Sequence, residues 1–155
     1  MDNLDELYND IIMEHSMNSY NKKKLDGAEF SEIGHNPNCG DEITLEMKLE
    51  GNVISDMAFS GHGCAISQAS TSVMIDTLRG KTIEEAKDII KTFIEMIKRE
   101  ITDDAELEKL EEAIAFKNVS NMPARVKCAL LAWHTLEDMI NKGETDGKIS
   151  SSCCH

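Results

Sequence analysis

The stretch that decides the fold is Glu42-Ile-Thr-Leu-Glu-Met-Lys-Leu-Glu-Gly-Asn52. Its apolar residues, at positions 43, 45, 47 and 49, alternate with charged or hydroxyl residues, which is typical of a strand with one buried face. Glu50-Gly51-Asn52 predicts a hairpin turn. Val53, Met57 and Phe59 then share one face of the next strand. An antiparallel sheet with one solvent-exposed face follows from this pattern.

Helical segments surround this hairpin. Phe30 and Ile33 fit a short strand before it, and helical spacing predicts helices over residues 3–14, 65–78, 83–97, 103–115 and 123–143. In the first helix the predicted buried face is Leu4, Leu7, Tyr8, Ile11 and Ile12. Thr82 and Glu85 form a capping box for the third helix, and the strongly charged fourth is expected to be exposed. We predict an α+β fold, a small antiparallel three-stranded sheet with helices packed on one face.

The predicted domain organisation is simple. Residues 1–143 are expected to form a single domain, and the polar, glycine-containing segment 144–155 is expected to be a disordered tail. Residues 15–24 are polar and basic and predict a loop.

Composition excludes several classes of protein. The formal net charge of −13 argues against binding to nucleic acid, whose phosphates require a cationic surface. No apolar run is long enough for a membrane span, and the acidic N-terminus does not resemble a signal peptide. A cytoplasmic location is therefore expected, and there five cysteines are metal ligands, reactive thiols or core residues rather than disulfides.

Three of these cysteines and one aspartate form a candidate metal site. Cys39 and Asp41 lie two residues apart in the turn Asn36-Pro-Asn-Cys-Gly-Asp41, where Pro37 restricts the backbone and Gly40 frees it. Cys64 and Cys128 each lie where a helix is predicted to begin, and the partial positive charge of a helix N-terminus favours a thiolate. One metal ion would fit among three thiols and a carboxylate.

Neighbouring residues qualify this interpretation. Arg125 and Lys127 flank Cys128 and would offset the negative charge of the donors. No CxxC pair is present, so the spacing alone is a weaker zinc signal than that of a zinc ribbon. A buried core cysteine is a competing explanation for Cys128, which precedes Ala-Leu-Leu. That explanation fits Cys39 and Cys64 poorly, because polar and glycine residues surround them.

The three cysteine-containing motifs resemble those of U-type iron–sulfur cluster assembly proteins, the family that includes SufU, IscU and the NifU N-terminal domain. The motifs are Asn36-Pro-Asn-Cys-Gly-Asp41, Ser60-Gly-His-Gly-Cys-Ala-Ile-Ser67 and Met122-Pro-Ala-Arg-Val-Lys-Cys-Ala129. The similarity runs from about residue 4 to residue 142 and implies the same sheet with helices on one side. Lys127 stands where the IscU branch has histidine, and the helical segment 82–115 is similar to an insert of the SufU branch.

This resemblance implies a function. SufU-like proteins hold zinc, which here implies Cys39, Asp41, Cys64 and Cys128 as ligands. Cys39 would accept persulfide sulfur from a SufS-type cysteine desulfurase and pass it on to a downstream iron–sulfur scaffold, and Arg125 would orient the partner or stabilise developing charge. The alternative is a scaffold that assembles a [2Fe–2S] cluster on the same ligands, and a third possibility is a zinc site that serves folding alone.

Two segments depart from the family pattern. His15-Ser-Met-Asn-Ser19 lacks the proline that often follows this asparagine in the family, which affects the expected partner contacts of that loop. Cys153-Cys154-His155 matches none of the motifs. A disordered tail is the main interpretation there, and adventitious or regulatory metal binding is the other.

Overall fold

The computed structural model describes residues 3–17, 20–36, 40–101 and 103–149, with the backbone alone for residues 3–5. Three strands precede most of the helices. The elements are α1 (Asn3–Met17), β1 (Phe30–Asn36), β2 (Asp41–Glu50), β3 (Val53–His62), α2 (Ala65–Leu78), α3 (Ile83–Ile97), α4 (Asp104–Leu107), a 3-10 helix (Glu108–Asn121) and α5 (Pro123–Thr145). None of the described helices is long and apolar enough to cross a bilayer.

The sheet is antiparallel with strand order β1-β2-β3. Ile43, Leu45 and Met47 of β2 are fully buried and belong to the same core as the apolar residues of α2, α3 and α5. Glu50 pairs with Val53, so the hairpin loop is Gly51-Asn52, and Gly51 has the positive φ that such tight turns require. The predicted α+β fold is confirmed.

The predicted face of β3 is correct only in part. Met57 and Phe59 are fully buried, but Ile54 is buried in place of Val53. The cause is a β-bulge: Lys48 pairs with Asp56 and Leu49 with Ile54, so Ser55 has no partner in the ladder. An extra residue on one strand reverses the alternation of side chains beyond it.

The first helix also differs from the prediction. α1 continues to Met17, three residues beyond the predicted end. Tyr8 is buried as expected, whereas Leu7 is 53% exposed. The side chain of Leu4 lies outside the described residues.

The charged segment 103–115 is less exposed than predicted. α4 occupies a single turn and a 3-10 helix continues to Asn121, which buries Leu107, Leu110 and Phe116 in the core. Glu111 has φ 52° and ψ −127°, which breaks the helical path. The capping box of Thr82 and Glu85 at the start of α3 is confirmed.

The last helix begins at Pro123 as predicted and extends to Thr145, past the predicted end at Gly143. Ile149 is 3% exposed, and a Cβ on Gly143 would lie 2.4 Å from its Cδ1. The apolar side chain of Ile149 thus returns to cover the end of α5, whereas residues 145–148 are exposed. The predicted tail residues 150–155 lie outside the described residues.

Contacts around Trp133 hold α5 against α3 and against α2, the helix that begins after Cys64. Trp133 of α5 stacks on Phe93 of α3 with ring centroids 3.9 Å apart. Its Nε1–H donates to Ser70 Oγ of α2 at 2.9 Å, and Ser70 Oγ donates to the carbonyl of Ala129 at 2.7 Å. These contacts hold the first half of α5 against α2, which brings Cys128 towards Cys64.

Candidate metal centre

Asp41 is a buried carboxylate at the turn end of the β1–β2 hairpin. It pairs with Asn36, and Gly40 N–H donates to the carbonyl of Asn36 at 2.9 Å. Asp41 has no solvent exposure. Its Oδ1 accepts a hydrogen bond from the N–H of Cys64 at 2.9 Å. A carboxylate without solvent requires compensating positive charge or hydrogen bonds, and a metal ion supplies such charge.

Cys64 is the N-cap residue of α2. Its Sγ accepts a hydrogen bond from the N–H of Ser67 at 3.4 Å and lies 4.0 Å from Asp41 Oδ2. The unpaired N–H groups and the dipole of a helix N-terminus stabilise negative charge on a capping atom. Cys64 is therefore placed to present a thiolate beside the carboxylate.

Cys128 supplies a third donor from the second turn of α5. It is 1% exposed, and its Sγ, Cys64 Sγ and a carboxylate oxygen of Asp41 all lie within 4.8 Å of one another. Tetrahedral zinc with Zn–S bonds of about 2.3 Å holds its sulfur ligands about 3.8 Å apart. A shift of about 1 Å would bring these three donors to that spacing.

The surroundings of the donors fit a bound ion. A Cβ on Gly63 would lie 3.0 Å from Asp41 Oδ1 and 3.2 Å from Ser67 Oγ, so a side chain there would press on the carboxylate and on the hydroxyl. Ser67 Oγ is buried and has no hydrogen-bond partner among the described residues. Two sulfurs, a carboxylate and a spare hydroxyl are a donor set that suits zinc or iron.

The remaining predicted site residues are placed as follows. Cys39 lies outside the described residues; in the sequence, only Gly40 separates it from Asp41. Arg125 and Lys127 are exposed in the first two turns of α5, next to Cys128 in sequence. Sequence reasoning missed Ser67, although its position three residues after a capping cysteine was a usable signal.

A family profile described as "NifU-like N terminal domain" matches residues 7–146. The chain belongs to this family. It is 43% identical over 143 residues to the zinc-dependent sulfurtransferase SufU of Bacillus subtilis, a match that covers 92% of this chain and 95% of that protein. It is 39% identical over 136 residues to the iron–sulfur cluster assembly scaffold protein IscU of Thermotoga maritima, covering 88% and 94%.

A crystal structure supports the same relationship for this NifU-like chain. The SufU protein of Fervidobacterium islandicum, described as an iron–sulfur cluster assembly scaffold for the SUF system, superposes with a TM-score of 0.78 at 43% identity. The match covers 83% of this chain and 93% of that one. The resemblance of the three cysteine-containing motifs to the U-type family is thus confirmed.

Proposed function

We propose that this NifU-like protein is a zinc-dependent sulfurtransferase of iron–sulfur cluster assembly, with Cys39, Asp41, Cys64 and Cys128 as zinc ligands. The observation that carries the proposal is the convergence of Asp41, Cys64 and Cys128 at one buried point. The extensive identity with a relative named a zinc-dependent sulfurtransferase supports the choice of metal and reaction.

The donor set explains how the chain would hold the ion. Cys64 and Cys128 are anchored on helices, and Asp41 is fixed by the Cys64 N–H. Cys39 lies between β1 and β2 in the sequence, and because the family resemblance implies that it accepts the sulfur, it is the ligand that would leave. When bound, zinc keeps cysteine ligands deprotonated, so a released Cys39 would be a thiolate ready to react.

The transfer step follows from thiolate chemistry. Cys39 thiolate attacks the terminal sulfur of a persulfide held by a SufS-type cysteine desulfurase, and a new S–S bond forms on Cys39. The S–S bond of the donor breaks, and its electron pair stays on the desulfurase cysteine as a thiolate. The sulfur on Cys39 then passes to a downstream iron–sulfur scaffold in the cytoplasm.

Arg125 is proposed to assist this step. Its guanidinium is exposed in the first turn of α5, three residues before Cys128, where it can meet an anionic group of a docked partner. Arg125→Ala is expected to slow sulfur transfer at unchanged zinc content. Lys91→Ala is the control, since it removes an exposed cation of α3 that is not part of the donor cluster.

A [2Fe–2S] scaffold is the alternative function, because relatives named as scaffolds match nearly as well. Metal analysis of the purified protein separates the two. About one zinc per chain, with desulfurase turnover stimulated by the wild type but not by Cys39→Ser, supports the sulfurtransferase. Iron and sulfide that bind on anaerobic reconstitution and pass intact to an acceptor would instead establish the scaffold.

The third possibility, a zinc site for folding alone, predicts that Cys39→Ser leaves desulfurase turnover unchanged. Cys153→Ser with Cys154→Ser is the control, because it removes two thiols outside the three motifs. The control is expected to keep full stimulation, and loss of stimulation there would place the sulfur acceptor in the tail.

A further inference from the structure

A second group of metal-ligating side chains lies away from the candidate metal centre. His15 of α1, Asp76 of α2 and Glu112 of the 3-10 helix each offer one donor atom, and the three atoms lie within 4.8 Å of one another. His15 Nε2 lies 3.3 Å from Glu112 Oε1 and 3.8 Å from Asp76 Oδ2. Asp76 is twelve residues beyond Cys64 along α2, a helical rise of about 18 Å.

The imidazole is held with Nε2 directed at the two carboxylates. His15 Nδ1 lies 2.7 Å from Ser72 Oγ, which also accepts a hydrogen bond from Asn21 Nδ2 at 3.2 Å. With Nδ1–H donating to Ser72, the lone pair of Nε2 faces two carboxylate oxygens, an arrangement that either a proton on Nε2 or a bound cation satisfies. A hydrogen bond to the other ring nitrogen is also how proteins orient a metal-bound histidine.

Asp76 is fixed in the same manner. Its Oδ1 accepts hydrogen bonds from Tyr20 OH at 3.0 Å, Asn21 Nδ2 at 2.9 Å and Arg79 NH1 at 3.2 Å. These three donors occupy one oxygen and leave Oδ2 as the atom that faces His15. Such outer hydrogen bonds set the orientation of ligating carboxylates.

Glu112 comes to the site through an unusual backbone conformation. The preceding Glu111 has φ 52° and ψ −127°, a conformation that side-chain-bearing residues seldom adopt. Lys81 Nζ binds the Glu111 carboxylate at 3.1 Å. The kink therefore separates two adjacent glutamates, with Glu111 paired to a lysine and Glu112 directed at His15.

We propose that His15, Asp76 and Glu112 form a second cation site, for a divalent first-row metal such as Mn²⁺ or Fe²⁺. One imidazole and two carboxylates, with no thiolate among them, are donors that suit these harder ions. With a neutral imidazole the donors carry two negative charges, which matches a divalent cation. The site joins α1, α2 and the 3-10 helix and does not depend on sulfur transfer.

Mn²⁺ is the probe, since electron paramagnetic resonance detects it directly. Protein loaded with one equivalent of zinc is titrated with Mn²⁺, and one Mn²⁺ per chain is expected, with ¹⁴N hyperfine coupling from an imidazole. His15→Gln and Glu112→Gln are expected to weaken binding at least tenfold, and His15→Gln to remove the coupling. The control His134→Gln, in the exposed His134–Glu137 pair of α5, is expected to bind as the wild type does.

Two results would overturn the second site. Absence of stoichiometric Mn²⁺ binding to the wild type would mean that a proton on His15 fills the space between the carboxylates. If Glu112→Gln bound Mn²⁺ as tightly as the wild type does, the ion would bind somewhere other than this cluster. Glu112 is 54% exposed, so Glu112→Gln is expected to fold normally, and its zinc content and thermal unfolding verify this.

Discussion

Replacing Asp41 by asparagine tests whether this carboxylate binds the metal ion or only supports the fold. Asparagine keeps the volume and the oxygen that accepts the Cys64 N–H at 2.9 Å. It replaces the oxygen that lies 4.0 Å from Cys64 Sγ by an amide nitrogen and removes the charge. In the metal-free protein this carboxyl group is fully buried, so its neutralisation should stabilise the fold, whereas with zinc bound an anionic ligand is lost.

The magnitudes follow from burial and mass action. A poorly compensated buried polar group costs about 1–3 kcal/mol, and 1 kcal/mol moves the Tm of a protein of this size by about 2–4 °C. Metal-free Asp41→Asn should therefore melt roughly 2–12 °C above the metal-free wild type. At free zinc one hundred times the wild-type Kd, wild-type stabilisation is about 2.7 kcal/mol, and a tenfold weaker affinity reduces it to about 1.4 kcal/mol.

Thermal unfolding with and without zinc, in a metal buffer, measures both quantities. Glu42→Gln is the control, because it neutralises the next residue of β2, whose side chain is exposed, and neither quantity should change. The reasoning would be refuted if metal-free Asp41→Asn melted below the wild type while its zinc-dependent gain stayed at the wild-type value. Asp41 would then support the loop without binding the ion.

Three further predictions concern stability. Arg99 follows α3 with a φ of 65°, a backbone conformation that favours glycine. Arg99→Gly should therefore raise the free energy of unfolding, measured by urea titration, by about 0.5–1 kcal/mol. An unchanged free energy of unfolding would show that the left-handed conformation of Arg99 carries no strain. Ser70→Ala removes the acceptor of the Trp133 N–H and should lower the free energy of unfolding by about 1–3 kcal/mol. The fluorescence of Trp133, the single tryptophan, should shift as well. A urea unfolding midpoint equal to that of the wild type would contradict this loss of stability. Burial acts to raise the pKa of Asp56, but hydrogen bonds and nearby positive charge, chiefly from Arg79, hold that pKa below its ordinary value of 3.8. The Asp56–Arg79 ion pair therefore stabilises the folded protein above pH 3.8, and this stabilisation is lost as the pH falls through the lowered pKa of Asp56. Asp56→Asn should flatten this acid limb of the stability profile, and an identical acid limb in wild type and variant would contradict the assignment.

The parts of the fold that the sequence predicts correctly depend on local chemistry. The alternation in β2, the hairpin at Gly51 and the capping box at Thr82 are set by residues close in the chain. The incorrect predictions concern side chains whose burial depends on contacts with residues distant in the sequence. The burial of Ile54 depends on a bulge opposite β2, and the exposure of Leu7 depends on which part of α1 other helices cover.

The candidate site shows the same division. Residue types and spacing identify Cys64 and Asp41 as polar-loop donors, but they do not separate a core cysteine from a ligand at position 128. In the structure Cys128 is 1% exposed and its sulfur also lies in the cluster with Cys64 and Asp41. A buried position is what a metal thiolate requires when water must be kept from the ion, so the two interpretations of Cys128 were never exclusive.

The arrangement of α2 gives a physical reason for two kinds of site in one small domain. Its N-terminus, with free N–H groups and positive dipole, caps the sulfur of Cys64. Near its other end, where the dipole is negative, Asp76 is supported by three hydrogen-bond donors, including the cation of Arg79. The sulfur of Cys64 thus lies where a backbone N–H stabilises an anion, and the carboxylate of Asp76 lies where side-chain donors stabilise it. The first equivalent of zinc titrated into manganese-loaded protein should therefore bind the thiolates and leave Mn²⁺ in place, whereas excess zinc should displace Mn²⁺, because nitrogen and oxygen donors bind Zn²⁺ more tightly than Mn²⁺.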